Sequence, residues 1–199
     1  MDQQRFENLD DKAKANAVLL YESGVERFDH HPMDGLQDLW KSFNNWLSCV
    51  TAIERDANQI QDFVGDKEIQ QLFEELWKND NTFRERLLAF SAEWPIYKSS
   101  SILKHYGAQY PWQFSTRAEL LVAIAGDPRL IKSPRDWVPG SNPTLSQTIW
   151  AIYQVRGNLI HGRKNAHVED DVRLVQMAFN VLIKLIDDIG YADPLAESP

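Results

Sequence analysis

Cysteine is almost absent from this 199-residue chain, which holds only Cys49. One thiol closes no intrachain disulfide and builds no cysteine-based zinc site, and such usage fits a reducing compartment. Long apolar runs are missing as well. No stretch approaches the roughly 18 consecutive apolar residues that a membrane span requires. The start, Met1-Asp2-Gln3-Gln4-Arg5, has no apolar run behind it of the kind a secretory leader carries. The expectation is a soluble, cytoplasmic protein without a membrane partner. A glycine-rich phosphate loop is also lacking, and no Ser/His/Asp or Cys/His set stands at a motif spacing. Basic residues are few: 21 Lys and Arg face 29 Asp and Glu, for a net charge of −8. Taken whole, that balance excludes a DNA-coating protein or a polybasic membrane binder.

The basic residues that exist are gathered. From Arg129 to His167 stand Arg129, Lys132, Arg135, Arg156, Arg163 and Lys164, against Asp136 alone. Six bases against one acid make that window +5, which leaves −13 for the remainder. An acidic body with one basic region repels nucleic acid generally and admits it locally.

Hydrophobic periodicity is helical almost throughout, so the fold class is all-α. Leu36, Leu39, Phe43, Trp46, Val50 and Ile53 form one stripe on a helix from about Asp34, whose carboxylate is placed to cap it. An earlier helix carries Ala13, Ala17, Leu20 and Phe28 and is closed off by His30-His31-Pro32. The stretch Lys67–Glu93 keeps Ile69, Phe73, Leu76, Phe83, Leu87, Phe90 and Trp94 on one face. Asn79-Asp80-Asn81 interrupts it, so it is two helices or one with a polar patch. Residues 95–143 hold six of the nine prolines, interleaved with Tyr97, Tyr106, Tyr110, Trp112, Phe114 and Trp137. Prolines break regular elements while the aromatics demand burial, so this is an ordered, irregular insertion between the third and penultimate helices. One short helix is predicted within it near Arg117–Ile124. A single domain over 1–199 is expected, with 191–199 a flexible tail.

Two helices close the chain. The last, from about Glu169 to Ile189, has an apolar arc wider than one contact needs. Either it is covered on two sides within the monomer, or one side meets a second subunit. The helix before it runs from a Thr144 or Ser146 cap to about Ile160. Its apolar face is Leu145, Ile149, Ile152, Leu159 and Ile160, and at about 100° per residue Arg156 falls near the middle of that face. An unpaired buried guanidinium is costly. Its partner is a carboxylate (Asp56 or Glu54), a set of carbonyls, a second subunit or a bound anion. Gly157 next to it permits close approach of another backbone. Five residues on, at the helix end, stands His161, the side chain type best suited to proton transfer near neutral pH. On a regular helix that spacing separates Arg156 and His161 by about 140°, and they converge only if the helix ends first, as Gly162 allows. The plainer alternatives are a snorkelling arginine and a last-turn histidine. His30-His31 with Asp29 and Asp34 reads as a polar interhelix loop rather than a metal site.

The segment Tyr153-Gln154-Val155-Arg156-Gly157-Asn158-Leu159-Ile160-His161-Gly162-Arg163-Lys164 resembles the signature of HEPN-domain proteins. In that family an Arg, a short spacer and a His stand late in a helical bundle, before a final helix. Gly157 follows Arg156 where the family often has a polar residue, and Asn158 stands one position later. The likeness covers Leu145 to about Leu185; the first 140 residues have only compatible helical texture. The resemblance implies a HEPN-like bundle that pairs as a homodimer with the Arg–His motifs facing. It also implies RNA cleavage without a metal or other cofactor, in toxin–antitoxin or antiviral systems, with an antitoxin or inhibitor protein as a further partner. Other members are inactive RNA-binding or scaffold modules. On this likeness Arg156 holds phosphate charge, His161 moves the proton, Asn158 orients the ribose or the histidine, and Arg163 and Lys164 bind flanking phosphates.

Overall fold

The computed structural model describes Met1 and residues 6–9, 11–160 and 169–192. Among them are nine α-helices: α1 (Asp11–Phe28), α2 (Pro32–Thr51), α3 (Asp56–Gly65), α4 (Lys67–Asn79), α5 (Asn81–Ser91), α6 (Ser99–Tyr106), α7 (Arg117–Ile124), α8 (Leu145–Ile160) and α9 (Glu169–Ile189). A 3-10 turn occupies Tyr110–Gln113. Strands β1 (Ile96–Tyr97) and β2 (Lys132–Ser133) pair antiparallel, with Ile96 opposite Ser133 and Tyr97 opposite Lys132. No described helix is long and apolar enough to cross a membrane.

The helix boundaries have local causes. α2 begins at Pro32, not at a cap on Asp34: a first-turn position needs no backbone N–H, and proline's fixed φ suits it. Asp34 sits within the first turn, where its charge meets the positive helix end. Asp80 splits the Lys67–Glu93 stretch into two helices. It is extended, it ends α4, and its carboxylate accepts from Phe83 N at 2.9 Å to start α5. Thr144 caps α8 reciprocally: its hydroxyl accepts from Gln147 N, and the Gln147 side chain accepts from Thr144 N.

Aromatic packing makes the core. Trp40, Phe43, Trp46, Phe63, Phe83 and Phe90 are all fully buried. α1 and α2 approach closely because glycines stand at their crossing. A Cβ on Gly35 would lie 2.9 Å from Gly24 O, and one on Gly24 would lie 2.9 Å from Leu39 N. α9 is the central helix. It packs on α2, α5 and α8 and touches α4, so both halves of its wide apolar arc are covered by its own chain. Leu174, Val175, Ala178, Phe179, Val181, Leu182, Leu185 and Ile186 are buried there.

Three expectations need correction. Helix α3 was not anticipated: its apolar residues Ile60, Phe63 and Val64 are buried, yet too few to mark a periodicity. The insertion therefore follows the fifth helix, not the third. The chain end is also packed further than expected. Tyr191 and Ala192 are buried, and the Tyr191 ring stacks on Trp46 at 4.9 Å with its hydroxyl 3.3 Å from Ser42 Oγ. Burial drives that phenol far above its usual pKa. Residues 193–199 lie outside the described residues.

Candidate active site

Arg156 projects from α8 about one turn before its end, and the helix lies against α2, α3 and α9 and against the β1–β2 ribbon. This two-sided packing broadens the buried arc of α8 to include Thr148, Ala151, Val155 and Asn158. Arg156 consequently sits about 70° from the arc's middle, at its edge. Its side chain retains 22% exposure, so it is half-buried rather than enclosed.

Two groups meet the guanidinium. Asp56 Oδ2 lies 3.7 Å from Nη1, the carboxylate partner foreseen as one of several options. Asp56 is the first residue of α3, where free amides favour its negative charge. The face of Trp40 lies beneath, 5.9 Å from the guanidinium carbon, close enough for a cation–π attraction. Tyr153, half-buried on the same helix as Arg156, packs on Trp40 at 5.6 Å and on Trp150 at 5.6 Å. The Asp56 contact is longer than a hydrogen bond and partly exposed. It balances the Arg156 charge, and among the described residues no group accepts a hydrogen bond from the guanidinium.

Asn158 does something different from what its place in the motif implied. It lies on the opposite side of α8, about 160° from Arg156, and is buried. Its Oδ1 accepts from Ser99 N at 3.0 Å and from Gln154 Nε2 at 3.1 Å, and its Nδ2 donates to Tyr97 O at 3.0 Å. The carboxamide thus fastens β1 and the start of α6 to α8. The structure does not bring Arg156 and Asn158 together, because the even spacing of two residues turns them to opposite faces. Among the described residues no neighbouring backbone approaches Gly157 either; a Cβ there would meet Gln154 Nε2, at 4.0 Å. His161, Arg163 and Lys164 lie outside the described residues.

A second fastener escaped sequence reasoning. Arg117, at the start of α7, pairs with Glu93 Oε2 at 2.6 Å and donates to Glu93 O at 3.1 Å. Glu93 also holds Arg173 of α9 at 2.9 Å, and Asp170 accepts from Arg117 N at 3.3 Å. Burial lowers the Arg117 pKa, opposed by Glu93, Asp171 and Asp170. This network ties the insertion to the N-terminal end of α9. No signal of spacing could reveal it, because its members are 24 and 53 residues apart.

His30 and His31 are exposed at the turn between α1 and α2. Among the described residues no three His, Cys, Asp or Glu side chains gather as a metal site would need. Comparison with protein-family models, with curated proteins and with solved structures returned no match for the chain.

Proposed function

We propose that this chain is an endoribonuclease of the HEPN kind that cleaves RNA without a metal. The observation that carries the reading is the state of Arg156: half-buried on an indole face, loosely balanced by one carboxylate, and five residues ahead of His161. An RNA phosphate displaces Asp56 from the guanidinium and gains a two-donor clamp. His161 removes the proton from the 2′-hydroxyl, O2′ attacks the adjacent phosphorus, and Arg156 holds the charge that builds on the non-bridging oxygens. A second proton donor, His161 of the partner subunit in a homodimer, delivers a proton to O5′ as the P–O5′ bond breaks. The products are a 2′,3′-cyclic phosphate and a 5′-hydroxyl. Arg163 and Lys164 hold flanking phosphates, a contribution that salt weakens. The biological setting this implies is a toxin or antiviral effector restrained by an inhibitor protein.

A second reading has its own support. Asn158 fastens the ribbon to α8, a structural role in place of the one its motif position implies. On that reading the protein is a catalytically inactive, dimeric RNA-binding or scaffold module. Expression of wild type and His161→Ala in bacteria separates the two. Growth arrest relieved by the substitution supports the nuclease, and equal growth with both proteins accumulating overturns it.

A further inference from the structure

The basic window divides in the structure. Arg156 belongs to the site above, whereas Arg129, Lys132 and Arg135 line a separate cavity of about 420 Å³ behind the β1–β2 ribbon. Tyr97 and Leu130 contribute apolar wall, and Asp127 is the only acid in the lining. Tyr97 and Lys132 are directly opposed across the ribbon, which sends both side chains to one face.

Asp127 is fully engaged. Arg129 holds it through Nε at 2.9 Å and Nη2 at 2.6 Å, the Arg129 backbone N–H donates at 2.9 Å, and Tyr106 donates its hydroxyl at 2.5 Å. The Arg129 bonds first, then that of Tyr106, keep the Asp127 carboxyl well below the usual carboxylate range, so its charge is spent inside this set. Lys132 and Arg135 have no carboxylate partner among the described residues. The cavity therefore carries two uncompensated cations on an otherwise acidic protein, and concave walls concentrate their field on anions. Its volume falls in the ~300–1,000 Å³ range of small-ligand sites. The half-buried Tyr97 ring beside buried Leu130 offers a surface for a flat apolar group.

We infer that this cavity binds a phosphorylated ligand of nucleoside monophosphate size, its phosphate on Lys132 and Arg135 and its base against Tyr97 and Leu130. The ligand is a free nucleotide or one unit of an RNA strand. The site is distinct from Arg156 and does not depend on the nuclease reading.

The test is a titration of the full chain with adenosine 5′-monophosphate, followed by calorimetry and by the backbone amide shift of Gly126, a residue of the cavity lining. Saturable binding that moves Gly126 is expected. The Lys132→Ala/Arg135→Ala double variant should weaken it about tenfold to a hundredfold, the loss of charge-assisted bonds to phosphate. Arg135 is exposed, so Arg135→Glu is a second variant that leaves the core untouched, and it should weaken binding in the same direction. Adenosine should bind at least about tenfold more weakly than the monophosphate. His161→Ala should bind as wild type does, which separates this site from the proposed reaction. A single-stranded oligonucleotide that displaces the monophosphate identifies RNA as the source; monophosphate binding that the oligonucleotide leaves untouched identifies a free nucleotide. Absence of any Gly126 shift with either ligand, or equal affinity of wild type and double variant, overturns the inference.

Discussion

The helical bundle and the insertion between α5 and α8 are held by different means. The bundle buries a continuous set of large rings, among them Trp40, Phe43, Trp46, Phe63, Phe83 and Phe90. The insertion buries only Ile102, Ile124 and Leu130 in a cluster of their own, with Tyr97, Tyr106 and Tyr110 packed around them. So small a core cannot offset the entropy of ordering its own backbone. Ties to the bundle make up the difference: Asn158 to β1, Arg117 to Glu93, Ile96 buried in the bundle's own core and Trp137 packed edge-on against Trp94 at 4.9 Å. The insertion is thus a unit whose order is borrowed from the bundle; the Arg156 site lies on the bundle, and the cavity of Lys132 and Arg135 lies within the insertion.

The sharpest way to break the contrast is a large truncation in each region. Trp46→Ala should cost about 3–5 kcal/mol of global stability in urea unfolding, because a fully buried indole stacked on Tyr191 leaves a cavity no neighbour can fill. Ile124→Ala should instead raise amide exchange across 95–143 while exchange in α2 and α9 stays slow. Equal effects on both regions would show one cooperative unit.

Asn158→Ala is the next test. It leaves the Ser99 N–H and the Tyr97 carbonyl without their partner, at a cost of about 1–3 kcal/mol. Amides of Ser99 and its neighbours should exchange faster, while the bundle's unfolding midpoint moves little. A midpoint that falls as far as in Trp46→Ala would place Asn158 in the bundle's own stability.

The smallest effect concerns acid. Asp38 is buried in the bundle between Lys41 at 2.7 Å, Arg27 at 2.9 Å and Ser23 at 3.1 Å. Burial raises its pKa, but the bonds from Lys41 and Ser23 and the charges of Lys41 and Arg27 outweigh that, so the net direction is down. The unfolded chain therefore binds this proton more readily. The stabilisation is complete above the ordinary carboxylate pKa of about 4 and is lost as pH falls through the lower folded value. Asp38→Asn should remove about 1 kcal/mol or less at pH 7, since its cationic partners are largely exposed, and should flatten the decline toward acid. An unchanged acid slope in the variant would remove Asp38 from the balance. Asp127, in the insertion, is shifted in the same direction and should loosen its tie to Tyr106 over the same side of the pH scale.

The bundle was more legible in the sequence than the insertion, for the same physical reason. Leu36, Leu39, Phe43, Trp46 and Val50 recur at helical spacing because one packed face recruits them, and all five are buried. The breadth of the α9 arc likewise reported coverage on two sides. In the insertion, Thr116 and Glu119 form a capping box that marks α7, which spans Arg117–Ile124 as the local pattern suggested. Strands of two residues have no periodicity to read, and α6 is too short to show one. At the candidate site, the oddity of Arg156 on an apolar face was visible, as was Asp56 among its possible partners. The Trp40 face beneath it was not, since 116 positions separate the two in the chain. Nor was the turn of Asn158 toward the ribbon, because the packing of α8 on β1 is a tertiary fact.

The most direct test of the central claim is cleavage of a defined RNA by the purified chain in excess chelator, comparing wild type with Arg156→Ala. Wild type should cut and leave 2′,3′-cyclic phosphate ends, and Arg156→Ala should be slower by about a hundredfold or more with an unchanged circular dichroism spectrum. Cleavage that chelator abolishes, or that proceeds at the wild-type rate without Arg156, would contradict the account.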